Sequence, residues 1–386
     1  MSTVEIRPVR SRRDLREFVE LPYRLHATSP RWVPPLRLER RLFLSRRLNA
    51  FFKHGDAEYL LAVRGDRVVG RLSAHVDHAY NRYHDTSWGW FGFLEIEDDP
   101  EVLPALLDAA EAWLRGKGCD RMVGPADFTM NDESGVLYEG YDLDPMIKQP
   151  WHPPYVFARC EEAAGLDKAM DLWMWNLEVS DRSKMMPILF ELADQVETKH
   201  GIRLRKMSRR SLRKDVDRFK EVYNSAWSRN WGFSPYDDKD LDQYAQELQL
   251  VFDKHWFMVT ETAEGETVGV AITVPDVNQV LRQMNGRLLP LGWWKFLTKG
   301  RRIDRVRVGF LGVKPEFQHT GVAAKMYVEH FDMAEVRPQK GGEMGWILET
   351  NKAMNRAMEA MGGTIVKRYR VYERVWGAGS ETGEDA

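Results

Sequence analysis

Residues 313–326 read Val-Lys-Pro-Glu-Phe-Gln-His-Thr-Gly-Val-Ala-Ala-Lys-Met, and their reading decides the fold. An apolar strand ends at Val313. A short loop carries Gln318-x-x-Gly321-x-Ala323, and a run with helical spacing follows. A small-residue turn that opens a helix aims unpaired backbone N–H groups, and the positive end of the helix, at one point. Such a point suits a phosphate or pyrophosphate. Gly321 and Ala323 carry almost no side chain, so a ligand reaches the backbone closely. Taken alone, the same stretch also reads as a plain strand–turn–helix connection.

Its surroundings add a second signal. Val313, Pro315, Gln318, Gly321, Ala323 and Met326 resemble, position by position, the acyl-CoA loop of the GCN5-related N-acetyltransferases (GNATs). A linked motif follows in the order that family has: Trp346-Ile-Leu-Glu349-Thr-Asn351, then Met354, Met358 and Gly362, then the strand Val366–Tyr372. The resemblance covers roughly residues 201–376.

What it implies is an acyl-CoA-dependent N-acyltransferase that passes an acetyl or longer acyl group to an amine by direct attack in a ternary complex. Acetyl-CoA or a longer acyl-CoA is the donor, and no metal is involved. The pantetheine arm is expected along Leu311, Gly312 and Val313. The pyrophosphate is expected on Gln318, His319, Thr320, Gly321, Val322 and Ala323, with Asn351 orienting the arm or a water. Glu349 is the first choice of base, or else a helix-capping carboxylate. The family's leaving-group Tyr falls on Met358, so Tyr369 or Tyr372 on the final strand, or solvent, is left to protonate the thiolate. That gap keeps a second reading open: an acyl-CoA-binding regulatory module without turnover.

Strand Arg305–Val313 has an irregularity of its own. Val306, Val308 and Phe310 alternate with Arg305, Arg307 and Gly309, and then the apolar phase flips to Leu311 and Val313. A one-residue phase change reads as a bulge, which frees backbone groups from the ladder.

The remaining chain repeats the pattern in outline. A hairpin around Gly65-Asp66, a strand Ser87–Ile96, a helix to Gly116 and a strand at Arg121–Val123 match, in order, the elements that follow residue 201. The reading is an α/β protein of two tandem GNAT folds, each a twisted mixed sheet flanked by helices. Residues 1–179 form a degenerate first copy with a basic N-terminal segment. Residues 180–376 form the second copy, and 377–386 a disordered acidic tail. The first copy replaces the small-residue turn with Glu95-Ile-Glu-Asp-Asp99, whose carboxylates repel a pyrophosphate. Residues 124–155 are dense in Pro, Gly, Asn and Asp, and a polar loop of that length is functional or mobile.

The bulk numbers exclude several classes. With 386 residues, 43% hydrophobic and 30% charged, the chain is that of an ordinary globular protein. A formal charge of -2 argues against a polyanion binder, and no nucleic-acid partner is expected. Two cysteines imply no disulfide framework. No signal peptide or membrane span is legible, so cytoplasmic residence is the expectation. Val277–Arg302 mixes Leu, Trp and Phe with Arg and Lys. It reads either as a core-packing insertion or as a lipid-facing element, so the acceptor is a small-molecule or lipid amine, the latter with peripheral membrane contact. Oligomeric state is not legible.

Overall fold

The computed structural model describes residues 3–228, 230–236, 238–290, 292–298 and 302–376. The tail at 377–386, expected to be disordered, lies outside the described residues.

The first half of the chain runs β1 (Val4–Pro8), α1 (Arg12–Leu25), α2 (Arg37–Phe43), β2 (Gly55–Arg64), β3 (Arg67–Asp77), α3 (His78–His84), β4 (Trp88–Ile96), α4 (Val102–Arg115), β5 (Arg121–Gly124), β6 (Val136–Glu139), α5 (Pro154–Glu162) and β7 (Asp167–Leu177). The second half runs α6 (Pro187–His200), β8 (Arg203–Lys206), α7 (Leu212–Ala226), α8 (Asp238–Val251), β9 (Phe257–Glu261), β10 (Thr267–Pro275), α9 (Asn278–Leu281), α10 (Gly292–Leu297), β11 (Arg305–Val313), α11 (Val322–Val336), β12 (Gly341–Leu348), α12 (Lys352–Ala360) and β13 (Thr364–Val375).

Local chemistry sets several of these boundaries. Ser11 accepts from the Asp14 N–H while the Asp14 carboxylate accepts from the Ser11 N–H, a reciprocal cap that starts α1. Gly65 at φ +62 turns the β2–β3 hairpin.

Among the described residues the strands form one mixed sheet, β1-β2-β3-β4-β5-β13-β7-β12-β11-β10-β9-β8, with β6 on β13. The two halves repeat each other: β4 runs parallel to β5, and β11 parallel to β12. The expected boundary at 179/180, however, does not divide the sheet. Strand β7, from the first half, pairs antiparallel with β12, and β13, from the second half, pairs antiparallel with β5. Each half receives its last strand from the other. The physical reason is that β7 and β13 also pair with each other, Thr364↔Asn176 through Glu373↔Asp167, so neither leaves an open edge at the join.

This exchange makes the halves interdependent. Tyr369, Val371 and Tyr372 of β13 are completely or almost completely buried, and Tyr372 belongs to the first half's core around Leu103, Leu106 and Val156. Each such side chain contributes on the order of 2 kcal/mol through burial. Residues 1–179 expressed alone are therefore expected to lack cooperative unfolding and near-ultraviolet circular dichroism. A sharp thermal transition from that fragment would refute the mutual dependence.

Candidate active site

The parallel pair β11–β12 is in register only from Arg305↔Gly341 to Val308↔Met344, and beyond that the two strands part. Both are irregular at the same level. Along β10, Ile272 faces Phe310 while Thr273 faces Val308, so Gly309 is the extra residue of a bulge. Along β7, β12 slips between Met344 and Ile347. The phase flip read in the sequence is thus a real bulge, and it opens a cleft.

The backbone facing that cleft follows from alternation. The Lys314 N–H donates to the Val268 carbonyl of β10 at 2.9 Å. Alternate residues of an antiparallel strand point the other way, so the amides of Leu311 and Val313 face the gap. Gly312 faces α7: a Cβ there would lie 2.2 Å from the Trp227 ring. That ring in turn stacks on Tyr223, with centroids 5.3 Å apart.

At the end of β11 a single-turn segment, Pro315–Thr320, leads to Gly321 at φ +83, the residue that opens α11. No side chain caps this 15-residue helix, so its first amides point out of the structure. Gly321 is required there twice over. Its φ lies in the left-handed region, and a Cβ would sit 2.9 Å from the Leu192 carbonyl oxygen of α6. Gln318 and His319 are exposed, and the buried Thr320 hydroxyl donates to the Phe317 carbonyl. Leu311–Val313 and Gln318–Ala323, expected at the cofactor, therefore follow one another from the cleft to the helix N-terminus.

Between the splayed strands is a cavity of about 240 Å³, walled by Val308, Phe310, Leu311, Trp346, Leu348 and Asn351. Asn351 caps α12, its Oδ1 accepting from the Met354 N–H at 3.1 Å. Capping fixes the side chain at the cavity wall, so its structural and functional readings coincide here.

The structure places the other two residues expected to be catalytic, Glu349 and Tyr369, outside the cavity wall. The Glu349 carboxylate accepts from the Asp171 N–H at 3.1 Å and lies 2.8 Å from Lys168 Nζ. It clamps the end of β12 to β7 and is not part of the cavity wall, because the β7–β12 ladder continues through the Glu349 N–H to the Asp171 carbonyl. Tyr369 is fully buried, packs edge-on against Trp346 at 4.8 Å, and its hydroxyl has no partner. Burial holds that phenol far above the usual range, so it keeps its proton. Tyr372 donates to Glu161 in the first half, and Met358 is in the core.

Sequence reasoning missed the far wall. Met130, Asn131, Ile147 and Lys148, from the long loop 124–155, close the cavity together with Tyr244 and Glu247 of α8. Lys148, at φ +58, pairs with Asp132 at 3.2 Å and Glu247 at 3.4 Å. Burial pulls its ammonium down, but the two carboxylates outweigh it and hold Lys148 above its ordinary range. Burial also raises Asp132 above the usual carboxylate range, beyond what Lys148 takes back. On the floor, Arg307 donates to the carbonyls of Ile147 and Gly345 and lies over Trp346 at 5.1 Å, with Nε unpartnered. Nothing in local sequence marks Lys148, since its contacts span 16 and 99 residues of chain.

Lys148, Ile147 and Glu247 also line a second cavity of about 330 Å³. It lies among α1, α2, the loop 124–155 and α9, with apolar walls from Trp32, Leu36, Phe43, Phe93, Trp151 and Phe296. Its polar floor holds Arg71, whose Nε is unpartnered, and a His26–Glu95 bond of 2.7 Å.

The first half retains the splay but has filled it with its own chain. β4 pairs with β5 only from Trp88↔Arg121 to Trp90↔Val123. Past that point the Ala126 N–H donates to the Phe91 carbonyl at 2.8 Å, and the Phe93 N–H to Asp127 at 2.7 Å. A Cβ on Gly92 would meet the Ala126 carbonyl oxygen at 2.1 Å. Asp99 accepts from the Glu101 N–H just ahead of α4. The space that stays open as a cleft in the second half is taken here by the loop itself.

No family model matches the chain. It is 36% identical over 376 residues to the bacterial ceramide synthase of Caulobacter vibrioides, covering 95% of this chain and 96% of that one. Among solved structures, a tandem GNAT protein from the clavulanic acid biosynthesis pathway superposes with a TM-score of 0.56 at 12% identity, covering 97% of this chain and 99% of that one. A GCN5-related glucosamine N-acetyltransferase region of a fungal multi-domain GH3 beta-N-acetylglucosaminidase superposes with a TM-score of 0.57 at 14% identity. The match covers 97% of this chain and 38% of that longer protein.

Proposed function

Because the chain belongs to the family of the bacterial ceramide synthase and is a GNAT-fold acyltransferase, we propose that it transfers an acyl group from acyl-CoA to the amine of an amphiphilic lipid. The carrying observation is the adjacency of two unlike cavities, a splayed-strand cleft in the second half and a larger, apolar-walled cavity in the first, which share Ile147, Lys148 and Glu247.

In this reading, residues 180–376 hold the donor and residues 1–179 wall the acceptor. The pantetheine arm extends along β11 as an added strand, its amide bonded to the Val313 N–H and its thioester end reaching the Leu311 N–H. The pyrophosphate sits on the open amides of α11 at Gly321–Ala323. A thioester carbonyl beside Leu311 finds a backbone donor ready as negative charge develops on oxygen. The amine arrives from the larger cavity at the Asp132–Lys148–Glu247 cluster, where a carboxylate takes its proton. The neutral nitrogen attacks, the C–S bond breaks, the nitrogen loses its excess proton to solvent as the amide forms, and CoA leaves as thiolate, protonated by solvent. The aromatic walls formed by Tyr223, Trp227 and Phe310 favour an acyl chain longer than acetyl. An acceptor of this class is membrane-borne, so peripheral membrane contact belongs to the same reading.

Release of free thiol from acetyl-, octanoyl- and palmitoyl-CoA, assayed with long-chain amino alcohols against short polyamines, tests it. The expected result is turnover with the amphiphilic amines and a kcat/KM that rises from acetyl to the longer donors. Calorimetric binding of every donor, with no thiol release across the amine panel, would replace this reading with that of a non-catalytic acyl-CoA-binding module.

A further inference from the structure

One group of exposed apolar side chains lies on α2 and around α10, beside the larger cavity. Leu38 and Leu42, one turn apart on α2, are 62% and 47% exposed. Leu289 is 72% exposed, and on α10 Trp293, Trp294 and Leu297 are 44%, 56% and 69% exposed. The two segments are joined. The Arg37 N–H at the start of α2 donates to the Gly286 carbonyl at 3.2 Å, and Leu36 and Phe296 pack on one small cluster around Val280 and Met284. Leu36 and Phe296 also line the cavity, so the exposed side chains stand just outside its opening.

The charge around this rim is mostly basic, although Arg282 is paired with Asp144 at 2.7 Å. Between Asp276 and Asp304 the sequence holds Arg282, Arg287, Lys295, Lys299, Arg301 and Arg302 and no acid. Arg41 in α2 and Arg46 and Arg47 just after it are exposed, Arg41 at 3.9 Å from Glu20 and Arg46 at 3.9 Å from Glu58, while the one acid of that helix, Glu39, is paired with Arg40 at 2.7 Å. Indole rings and leucines ringed by arginine match the boundary between lipid headgroups and acyl chains. A basic fringe matches an anionic leaflet.

We propose that α2 and the 286–297 segment seat the protein on an anionic bilayer, with the mouth of the first-half cavity facing the lipid. The inference deepens the acceptor reading above and rests on it for what passes through the mouth; the docking itself rests on exposure and charge. No helix among the described residues is long and apolar enough to cross a membrane, so the contact is with the surface only.

Sedimentation of the full chain with phosphatidylcholine vesicles, with and without phosphatidylglycerol, tests it. Wild type is expected to pellet with the anionic vesicles and to be released by salt. The variant Trp293→Ser/Trp294→Ser/Leu297→Ser is expected to bind them about tenfold more weakly or worse, while acyl-CoA calorimetry on it stays as in wild type. Arg41→Glu/Arg47→Glu is expected to lose the preference for phosphatidylglycerol. The proposal is overturned if wild type stays in the supernatant at low salt, or if the triple variant pellets like wild type. It is equally overturned if light scattering shows this face buried in a homodimer that the triple variant dissolves and that ignores vesicles. None of those results touches acyl transfer itself, which solution turnover reads separately.

Discussion

Gly321→Glu is expected to weaken acyl-CoA binding by about a hundredfold or more, equivalent to roughly 3 kcal/mol. Two effects add. The backbone at 321 has φ +83, and a Cβ there meets the Leu192 carbonyl oxygen at 2.9 Å, so the loop must shift away from α6. The new carboxylate also lies where the open amides of α11 would receive a pyrophosphate, and turns attraction into repulsion. Gly321→Ala separates the two, since it keeps the strain and omits the charge, and its loss is expected to be about tenfold. Calorimetry with acetyl-CoA and octanoyl-CoA measures both, with near-ultraviolet circular dichroism as the check on folding. Binding of Gly321→Glu at wild-type strength would remove the pyrophosphate from this turn.

The second large effect is expected at Glu247. Its carboxylate is shared by the two cavities and held by Lys148 at 3.4 Å, a placement for taking the proton of an incoming amine. Glu247→Gln is expected to lower kcat by about a hundredfold or more with little change in KM for acyl-CoA, the size expected for a general base. Wild-type rate is expected to fall as pH drops and Asp132 takes up a proton. Asp132, raised by burial, protonates at higher pH than an ordinary carboxylate. Steady-state rates from pH 5 to 9 check this: the acidic limb should flatten in Asp132→Asn. Glu349→Gln, by contrast, removes only a clamp to Lys168 and the Asp171 amide and should leave kcat within about threefold. If Glu349→Gln loses the rate and Glu247→Gln keeps it, the base assignment is reversed.

The contrast between these two glutamates shows how far a linear reading reaches. Glu349 was found because it sits beside Asn351 in a recognisable run, but proximity in sequence does not say which way a side chain turns. The β7–β12 ladder turns this one toward Lys168. Glu247 lies in the middle of an amphipathic helix and carries no mark. Its role depends on Lys148, which reaches it from a loop in the other half. Asn351 was legible because its position, a helix cap at the cavity wall, is also the one its proposed role requires.

The sequence by itself marked the local features on which the proposed donor side rests. A phase slip at Gly309, a small-residue turn at Gly321 and a capped helix at Asn351 are local features, set by sterics within a few residues, so their order along the chain is enough to place them. Tertiary structure alone decided the acceptor side and the join between the halves. The exchange of β7 and β13, the loop that fills the first splay at Ala126 and Asp127, and the meeting of Asp132, Lys148 and Glu247 all depend on contacts between residues far apart in the chain. Their free energies come from burial and pairing across the fold, which no local pattern encodes.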